Sequence, residues 1–236
     1  MIIPAAGLGI RMGRQPDRAG SRKQFLLLDD EPILLHTIRK FLAVETVSEI
    51  VVALRAEDGE WAGEIAGAAG RSGKPVRVVE GGDSRQESVE NALASIDPAV
   101  DLVAVHDAVR PFVSVETIAA VIREANETGA AIAGIVPVDT VKQVHRNKIR
   151  QTIPRERLVL AQTPQVFRYA LLKDAFERAR TDSFAGTDEA SLVERLEQVE
   201  VSVVPGSDRN IKITKPGDME LARLFLEQER APRTEG

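Results

Sequence analysis

Pro4-Ala5-Ala6-Gly7-Leu8-Gly9-Ile10-Arg11-Met12-Gly13 follows directly on Met1-Ile2-Ile3, a short apolar run that reads as a buried strand. Small residues after a strand let the backbone approach a ligand closely, and exposed N–H groups in such a turn can cradle phosphate. The stretch is not the dinucleotide fingerprint, because Gly7-x-Gly9 would need a glycine where Met12 stands. Nor is it a P-loop, since no Gly-Lys-Ser/Thr closes it. Arg11, Arg14, Arg18, Arg22 and Lys23 follow, cations that would offset the charge of a triphosphate. Read alone, the segment is also compatible with a solvated glycine loop.

Working outward, β-branched runs alternate with helical spacings. Ile50–Leu54, Val76–Val79, Leu102–His106 and Ala131–Val136 read as strands buried on both faces. Helices are expected after Pro32, after the capping box Ser84-Arg85-Gln86-Glu87, and after Ser114, where Val115, Ile118, Ala119, Ile122 and Ala125 share one face. This alternation predicts an α/β chain with a mostly parallel sheet between helices, and ligands beyond the carboxyl ends of its strands. The rhythm changes at Pro137. Val138–Val144 and Ile149–Ile153 flank a polar turn and predict a long hairpin with little to bury within itself. Such a hairpin should lean on something, a second subunit being one candidate. A helix is expected over Arg168–Arg180, strands near Val199–Val204 and Asn210–Ile213, and a last helix from Pro216. Arg230–Gly236 is polar and expected to fray.

Composition removes several classes of function. The chain has 236 residues and no cysteine, so its core needs no staples and disulfide, zinc-thiolate and iron–sulfur sites are excluded. A net charge of −5 gives no prior for nucleic acid. No apolar run approaches the roughly 18 residues of a membrane span, and the first residues lack the basic flank and apolar stretch of a signal peptide. A cytoplasmic protein is expected.

Other segments carry candidate chemistry, each with a plainer alternative. Gly81-Gly82-Asp83-Ser84-Arg85-Gln86-Glu87-Ser88 could present backbone groups to a base edge, or could be a well-capped strand-to-helix turn. His106-Asp107-Ala108-Val109-Arg110-Pro111 ends a strong strand. Asp107 there could meet a magnesium nucleotide, since magnesium takes one or two carboxylates plus phosphate oxygens, or could cap a turn. His106 reads as a structural histidine. Thr187-Asp188-Glu189-Ala190-Ser191 reads as a helix cap, and Lys212 between Ile211 and Ile213 as a snorkelling lysine. No Ser/His/Asp grouping supports covalent catalysis.

Together these residues carry a resemblance. Pro4-Ala5-Ala6-Gly7-x-Gly9-x-Arg11-Met12 with Lys23-Gln24 resembles the signature of nucleotidyltransferases that couple a nucleoside triphosphate to a phosphorylated small molecule. Gly81-Gly82-Asp83-x-Arg85-x-x-Ser88, His106-Asp107-Ala108-x-Arg110-Pro111, Asp139-Thr140-Val141-Lys142, Thr163-Pro164-Gln165, Thr187-Asp188-Glu189-Ala190-Ser191 and Asn210-Ile211-Lys212-Ile213-Thr214 narrow it. Their order is similar to that of the 2-C-methyl-D-erythritol 4-phosphate cytidylyltransferases of the non-mevalonate isoprenoid pathway, from Met1 to around Phe225. The resemblance implies a single domain over 1–236, a Rossmann-like three-layer sandwich with a protruding β-hairpin arm at about 138–157 that makes a homodimer. It implies CMP transfer from CTP to 2-C-methyl-D-erythritol 4-phosphate, with Mg2+ or another divalent cation at Asp107. Arg11, Lys23 and Lys212 would be catalytic. Pro4, Ala5, Ala6, Gly7, Gly9, Gly82, Asp83, Ser88 and Asp107 would bind nucleotide. Asp107, Arg110, Thr140, Arg155 and Thr163 would bind the acceptor, with Thr140 and Arg155 carried by the arm towards a partner's site. Two departures stand out: Arg22 occupies the place of a usual proline, and the stretch from Arg11 to Lys23 is longer than usual. The first loop alone also suits a molybdenum-cofactor guanylyltransferase or a sugar-phosphate cytidylyltransferase. A non-catalytic nucleotide-sensing relative would share the fold, but Arg11, Lys23, Asp107 and Lys212 together argue for an enzyme.

Overall fold

The computed structural model describes residues 1–7, 22–68 and 70–231. In chain order the elements are β1 (Ile2–Pro4), β2 (Leu27–Leu28), β3 (Glu31–Pro32), α1 (Ile33–Leu42), β4 (Ile50–Leu54), α2 (Ala62–Gly67), β5 (Val76–Glu80), α3 (Arg85–Ala94), β6 (Leu102–Val105) and α4 (Val115–Thr128). There follow β7 (Ala130–Ile135), β8 (Val141–His145), β9 (Lys148–Ile153), β10 (Leu160–Arg168), α5 (Tyr169–Thr181), α6 (Glu189–Glu194), β11 (Ser202–Pro205) and α7 (Pro216–Arg230). The main sheet of the described residues runs β11-β7-β10-β6-β1-β4-β5. β10 is antiparallel to both its neighbours and the other pairings are parallel.

Side-chain alternation along each strand divides the core into two layers. Ile2, Val51, Ala53, Val103 and Val105 pack with α3, α5 and α6 on one face. Ile3, Ile50, Val52 and Leu54 pack with α1, α2 and α4 on the other. Both faces being covered, β4 is buried at every position, which is why it reads as an unbroken apolar run. From β1 the chain proceeds to β4 on one side, while β6 lies on the other. The gap between the ends of β1 and β6 is therefore the topological switch point, where ligands of open α/β sheets sit. α7 closes over β2 and α1, with Met219, Ala222 and Leu226 packed against Leu28, Ile33 and Phe112.

The caps expected at Ser84 and Ser114 are present, each side-chain oxygen accepting a backbone N–H of its first turn. Two expectations about elements need correction. Asn210–Ile213 is a loop, because its backbone bonds outside any ladder: the Asn210 N–H donates to Ser207 O and the Ile213 N–H to Val109 O. β10, which lies in the middle of the sheet, was not foreseen. Pro164 within it argues against a central strand, and the structure accommodates Pro164 where the register of β10 on β7 shifts between Ala161 and Gln165.

β8 and β9 form a separate antiparallel hairpin, turned at Arg146-Asn147 with both residues at positive φ (46° and 60°), as a two-residue primed turn requires. Its apolar residues are largely uncovered, with Val144 and Ile149, paired across the strands, 61% and 64% exposed. No helix among the described residues is long and apolar enough to cross a membrane.

Candidate active site

Two cavities open at the switch point and share three residues, Arg85, Asp107 and Lys212. The first, about 190 Å³, is lined by Pro4, Ala5, Ala6, Gly7, Lys23, Gln24 and Ser88 besides the shared three. The second, about 240 Å³, adds Arg110, Gln162, Thr163, Gln165, Thr187 and Asp188. Residues from opposite ends of the chain thus meet around one carboxylate.

Asp107 follows β6 and is 7% exposed. Its Oδ1 lies 3.2 Å from Arg85 Nε, and its Oδ2 lies 3.2 Å from Arg110 Nε and 3.0 Å from Lys212 Nζ. Burial would push this carboxyl up, but Arg85, Lys212 and Arg110 together hold it well below the usual carboxylate range. Arg85 carries a second carboxylate: Nη1 and Nη2 donate to the two oxygens of Glu189 at 2.7 and 3.0 Å. Burial pushes the Glu189 carboxyl up and the Arg85 guanidinium opposes it, so the two carboxyls do not outweigh the three cations and the group keeps a positive excess, which favours a phosphorylated ligand.

His106 lies beneath, fully buried, as a structural histidine. Its Nε2 is 3.1 Å from the Arg110 carbonyl oxygen, which can only accept, so Nε2 carries the proton. The bare Nδ1 then accepts from the Thr163 hydroxyl at 3.0 Å, and Thr163 Oγ1 accepts the Asp107 N–H at 3.1 Å. This chain of bonds ties β10 to β6 below the cavities. Burial lowers His106 from 6.5 to about 4. An unfolded histidine binds a proton more readily, so this stability is fully present above pH 6.5 and is lost as pH falls towards 4. Between pH 7 and pH 4, His106→Gln is expected to flatten the loss of unfolding free energy of the unliganded chain by about 3 kcal/mol. Urea titrations at several pH values measure this, and equal slopes for variant and wild type would refute it.

The loop after β1 is braced by two side chains whose part was not foreseen. Gln24, 2% exposed, donates to the carbonyl oxygen of Ala5, and Arg55 Nε donates to that of Ala6 at 2.9 Å. Gln24 stood beside the expected lysine, and Arg55 stands at the carboxyl end of β4, where the sheet rule places ligands. Lys23–Phe25 is a 3-10 turn held on both sides: Arg22 pairs with Glu57 at 2.7 Å and with Asp58, and Phe25 stacks on Trp61 with ring centroids 4.6 Å apart.

The structure therefore gathers Pro4, Ala5, Ala6, Gly7, Lys23, Ser88, Asp107 and Lys212 at one cavity, and Arg110 and Thr163 with Asp107 and Lys212 at the other. Gly82 and Asp83 sit on the adjoining turn. The Gly82 N–H donates to Ser88 Oγ at 3.1 Å, and Asp83, with its side chain 97% exposed, is 3.8 Å from Arg55. Thr140 and Arg155 lie at the base of the hairpin, outside both linings, with Arg155 donating to the Val138 carbonyl. Gly9 and Arg11, with Arg14 and Arg18, lie outside the described residues, as does the end of the tail expected to fray. No group of three or more acidic or histidine side chains among the described residues could hold a metal alone.

Comparison with known proteins fits this arrangement. The family model for 2-C-methyl-D-erythritol 4-phosphate cytidylyltransferase matches residues 1–228. A relative of that name from Solibacter usitatus is 62% identical over 240 residues, covering 99% of this chain and 98% of its own. The crystal structure of a 4-diphosphocytidyl-2C-methyl-D-erythritol synthase from Anaerococcus prevotii superposes with a TM-score of 0.83 at 28% identity, covering 96% of this chain and 94% of that one. That of the 2-C-methyl-D-erythritol 4-phosphate cytidylyltransferase from Thermus thermophilus does so at 0.76 and 33% identity, covering 96% and 97%. With the match spanning nearly the whole chain, this protein belongs to the 2-C-methyl-D-erythritol 4-phosphate cytidylyltransferase family.

Proposed function

We propose that the chain transfers CMP from CTP to 2-C-methyl-D-erythritol 4-phosphate and releases pyrophosphate. The observation that carries this reading is the pair of cavities meeting at Asp107 and Lys212, one beside the Pro4–Gly7 loop and Lys23, the other beside Arg110 and Thr163. On this reading the first takes CTP and the second the acceptor phosphate. An acceptor phosphate oxygen then bonds to the α-phosphorus as the bond from that phosphorus to the β-phosphate bridging oxygen breaks, and pyrophosphate leaves with the electron pair. The second pKa of a phosphate monoester is about 6, so the attacking group is already ionised near neutral pH and needs no general base. That suits a site whose histidine is buried, neutral and fully hydrogen-bonded. Catalysis is then orientation plus charge stabilisation by Lys23, Lys212 and, by family resemblance, Arg11.

A divalent cation such as Mg2+ belongs to the same proposal. A single protein carboxylate plus phosphate oxygens satisfies magnesium, and Asp107 is that carboxylate. When bound, the cation would neutralise charge on the triphosphate. Asp107 Oδ2 is shared by Arg110 and Lys212, so moving Lys212 towards the α-phosphate would release a lone pair for the cation. We propose a cytoplasmic location for the reaction. Purified chain with CTP, Mg2+ and 2-C-methyl-D-erythritol 4-phosphate should release pyrophosphate, and silence of that assay would overturn the reading.

A homodimer through the β8–β9 hairpin is likewise proposed. The hairpin is a two-stranded sheet with Val138, Val144 and Ile149 uncovered, and such a ribbon is marginal alone. Pairing by a two-fold axis would bring Thr140 and Arg155 to the partner's acceptor cavity. Arg155→Ala should then raise KM for the methylerythritol phosphate far more than for CTP. A mixture of Lys23→Ala and Arg155→Ala subunits should regain roughly a quarter of wild-type activity, because each heterodimer has one intact site. No recovery despite proven subunit exchange would remove the shared site and leave the transferase reading standing.

A further inference from the structure

Two motifs that read as helix caps, Ser84-Arg85-Gln86-Glu87 and Thr187-Asp188-Glu189, meet through Arg85 and Glu189, 104 residues apart in sequence. Their helices are stitched side by side at their N-termini. Gln86 Oε1 accepts the Gly186 N–H at 2.9 Å and its Nε2 donates to the Phe184 carbonyl at 3.2 Å. Gln165 of β10 donates to Asp188 Oδ2 at 2.7 Å and accepts the Ala190 N–H at 3.0 Å, bolting the start of α6 to the sheet. A glutamate in a helix's first turn is favoured by the helix dipole, but an arginine there is disfavoured. Arg85, first residue of α3, is thus held against the dipole by two carboxylates.

The geometry of that guanidinium is what matters for the site. Its forked end is taken by Glu189, which is 1% exposed, and only Nε remains for Asp107. Asp107 therefore meets Arg85 through one oxygen, and its other oxygen stays with Arg110 and Lys212. Without the Glu189 charge the fork would turn to the nearest anion, either Asp107 or an incoming phosphate.

We propose that Glu189 is a positioning residue for the transfer reaction: by occupying the fork of Arg85 it fixes the orientation of Asp107 and keeps Asp107 Oδ2 as the resting place from which Lys212 reaches the α-phosphate. The inference rests on the cytidylyl-transfer reading, so wild-type transfer of labelled CMP is the control. An inactive wild type would fail that reading, whereas the comparison below concerns Glu189 alone.

The test is a cycle of four chains, wild type, Glu189→Gln, Lys212→Ala and the double variant, compared by single-turnover transfer from labelled CTP at a temperature where circular dichroism shows all four folded. Glu189→Gln should slow the wild-type background about 10- to 100-fold, comparable to losing part of a preorganised charge array. It should slow the Lys212→Ala background by less than about 3-fold, because residues acting as a unit are non-additive. A purely structural role would instead give the same fold-loss in both backgrounds. Equal losses, or a Glu189→Gln rate within about 2-fold of wild type, would overturn the proposal. Should Glu189→Gln not fold, Arg85→Met with Glu189→Met removes the ion pair as a unit, so that no buried charge is left without its partner. A near wild-type rate in that chain would overturn the proposal, and a slow rate whose deficit vanishes with Lys212→Ala supports it.

Discussion

Replacing CTP by GTP is expected to lower kcat/KM by about 10⁴, because a site built to hydrogen-bond one substrate edge leaves its own polar groups unpaired on an analogue. Backbone at the ends of β1 and β5 is the expected reader of the base. Ala5 and Ala6 line the nucleotide cavity with single methyl groups, so little side chain stands between a ligand and their peptide groups. Gly81 packs so closely that a Cβ on it would lie 2.6 Å from the Ala6 Cβ and 3.0 Å from Ser88 Oγ. The Gly81 N–H is bound to the Leu54 carbonyl at 2.6 Å, which fixes the turn to the sheet. Gln24 and Arg55 hold the Ala5 and Ala6 peptides in place, so the walls cannot spread to admit a second ring without breaking those bonds. UTP probes the other half of the argument: it has the size of CTP but an acceptor where cytosine has its amino donor. Steady-state rates with each nucleotide at saturating acceptor measure the ratio. Equal use of CTP and GTP would refute the tight backbone pocket, and equal use of UTP would refute reading of the amino edge.

Local chemistry made much of this molecule legible in its sequence. β4 announces itself because both its faces are buried, and α3 and α4 because serine caps precede them. Asp107 is legible because it ends a strong strand, the position at which α/β sheets present ligands. The hairpin is legible because a polar turn separates two alternating runs, and primed-turn geometry follows. What failed to show was decided by distant partners. Pro164 disguised β10, since no local rule reveals that the register shifts at that point. Glu189 looked like part of a cap, and it is the first residue of α6, but its partner Arg85 belongs to another helix. Lys212, read from its apolar neighbours as a snorkelling residue on a strand, lies on a loop: Ile213 beside it is buried against Val109 and its N–H donates to the Val109 carbonyl. That anchoring turns an ordinary pattern into a lysine aimed at Asp107.

Lys23→Ala and Lys212→Ala should each lower kcat by about 10² to 10³ while the chain stays folded, the loss typical of removing one preorganised donor at developing charge. The fold should survive because neither lysine belongs to a hydrophobic core cluster. Lys212 is 35% exposed at its side chain, and Asp107 keeps Arg85 and Arg110 once Lys212 is gone. The two variants should differ in a way set by the cavities. Lys23 lines only the nucleotide side, so its loss should also weaken CTP binding. Lys212 lines both, so its loss should fall on kcat with less change in either KM, the mark of an interaction realised in the transition state. Arginine should not rescue Lys212, because a compact ammonium and a planar fork place their donors differently. Lys173→Ala, which removes a lysine exposed on α5, controls for net charge and should leave turnover unchanged. Near-normal turnover in both site variants would sink the placement of the α-phosphate between them. A loss confined to Lys23 would move the reacting phosphorus away from Asp107, towards the loop that follows β1.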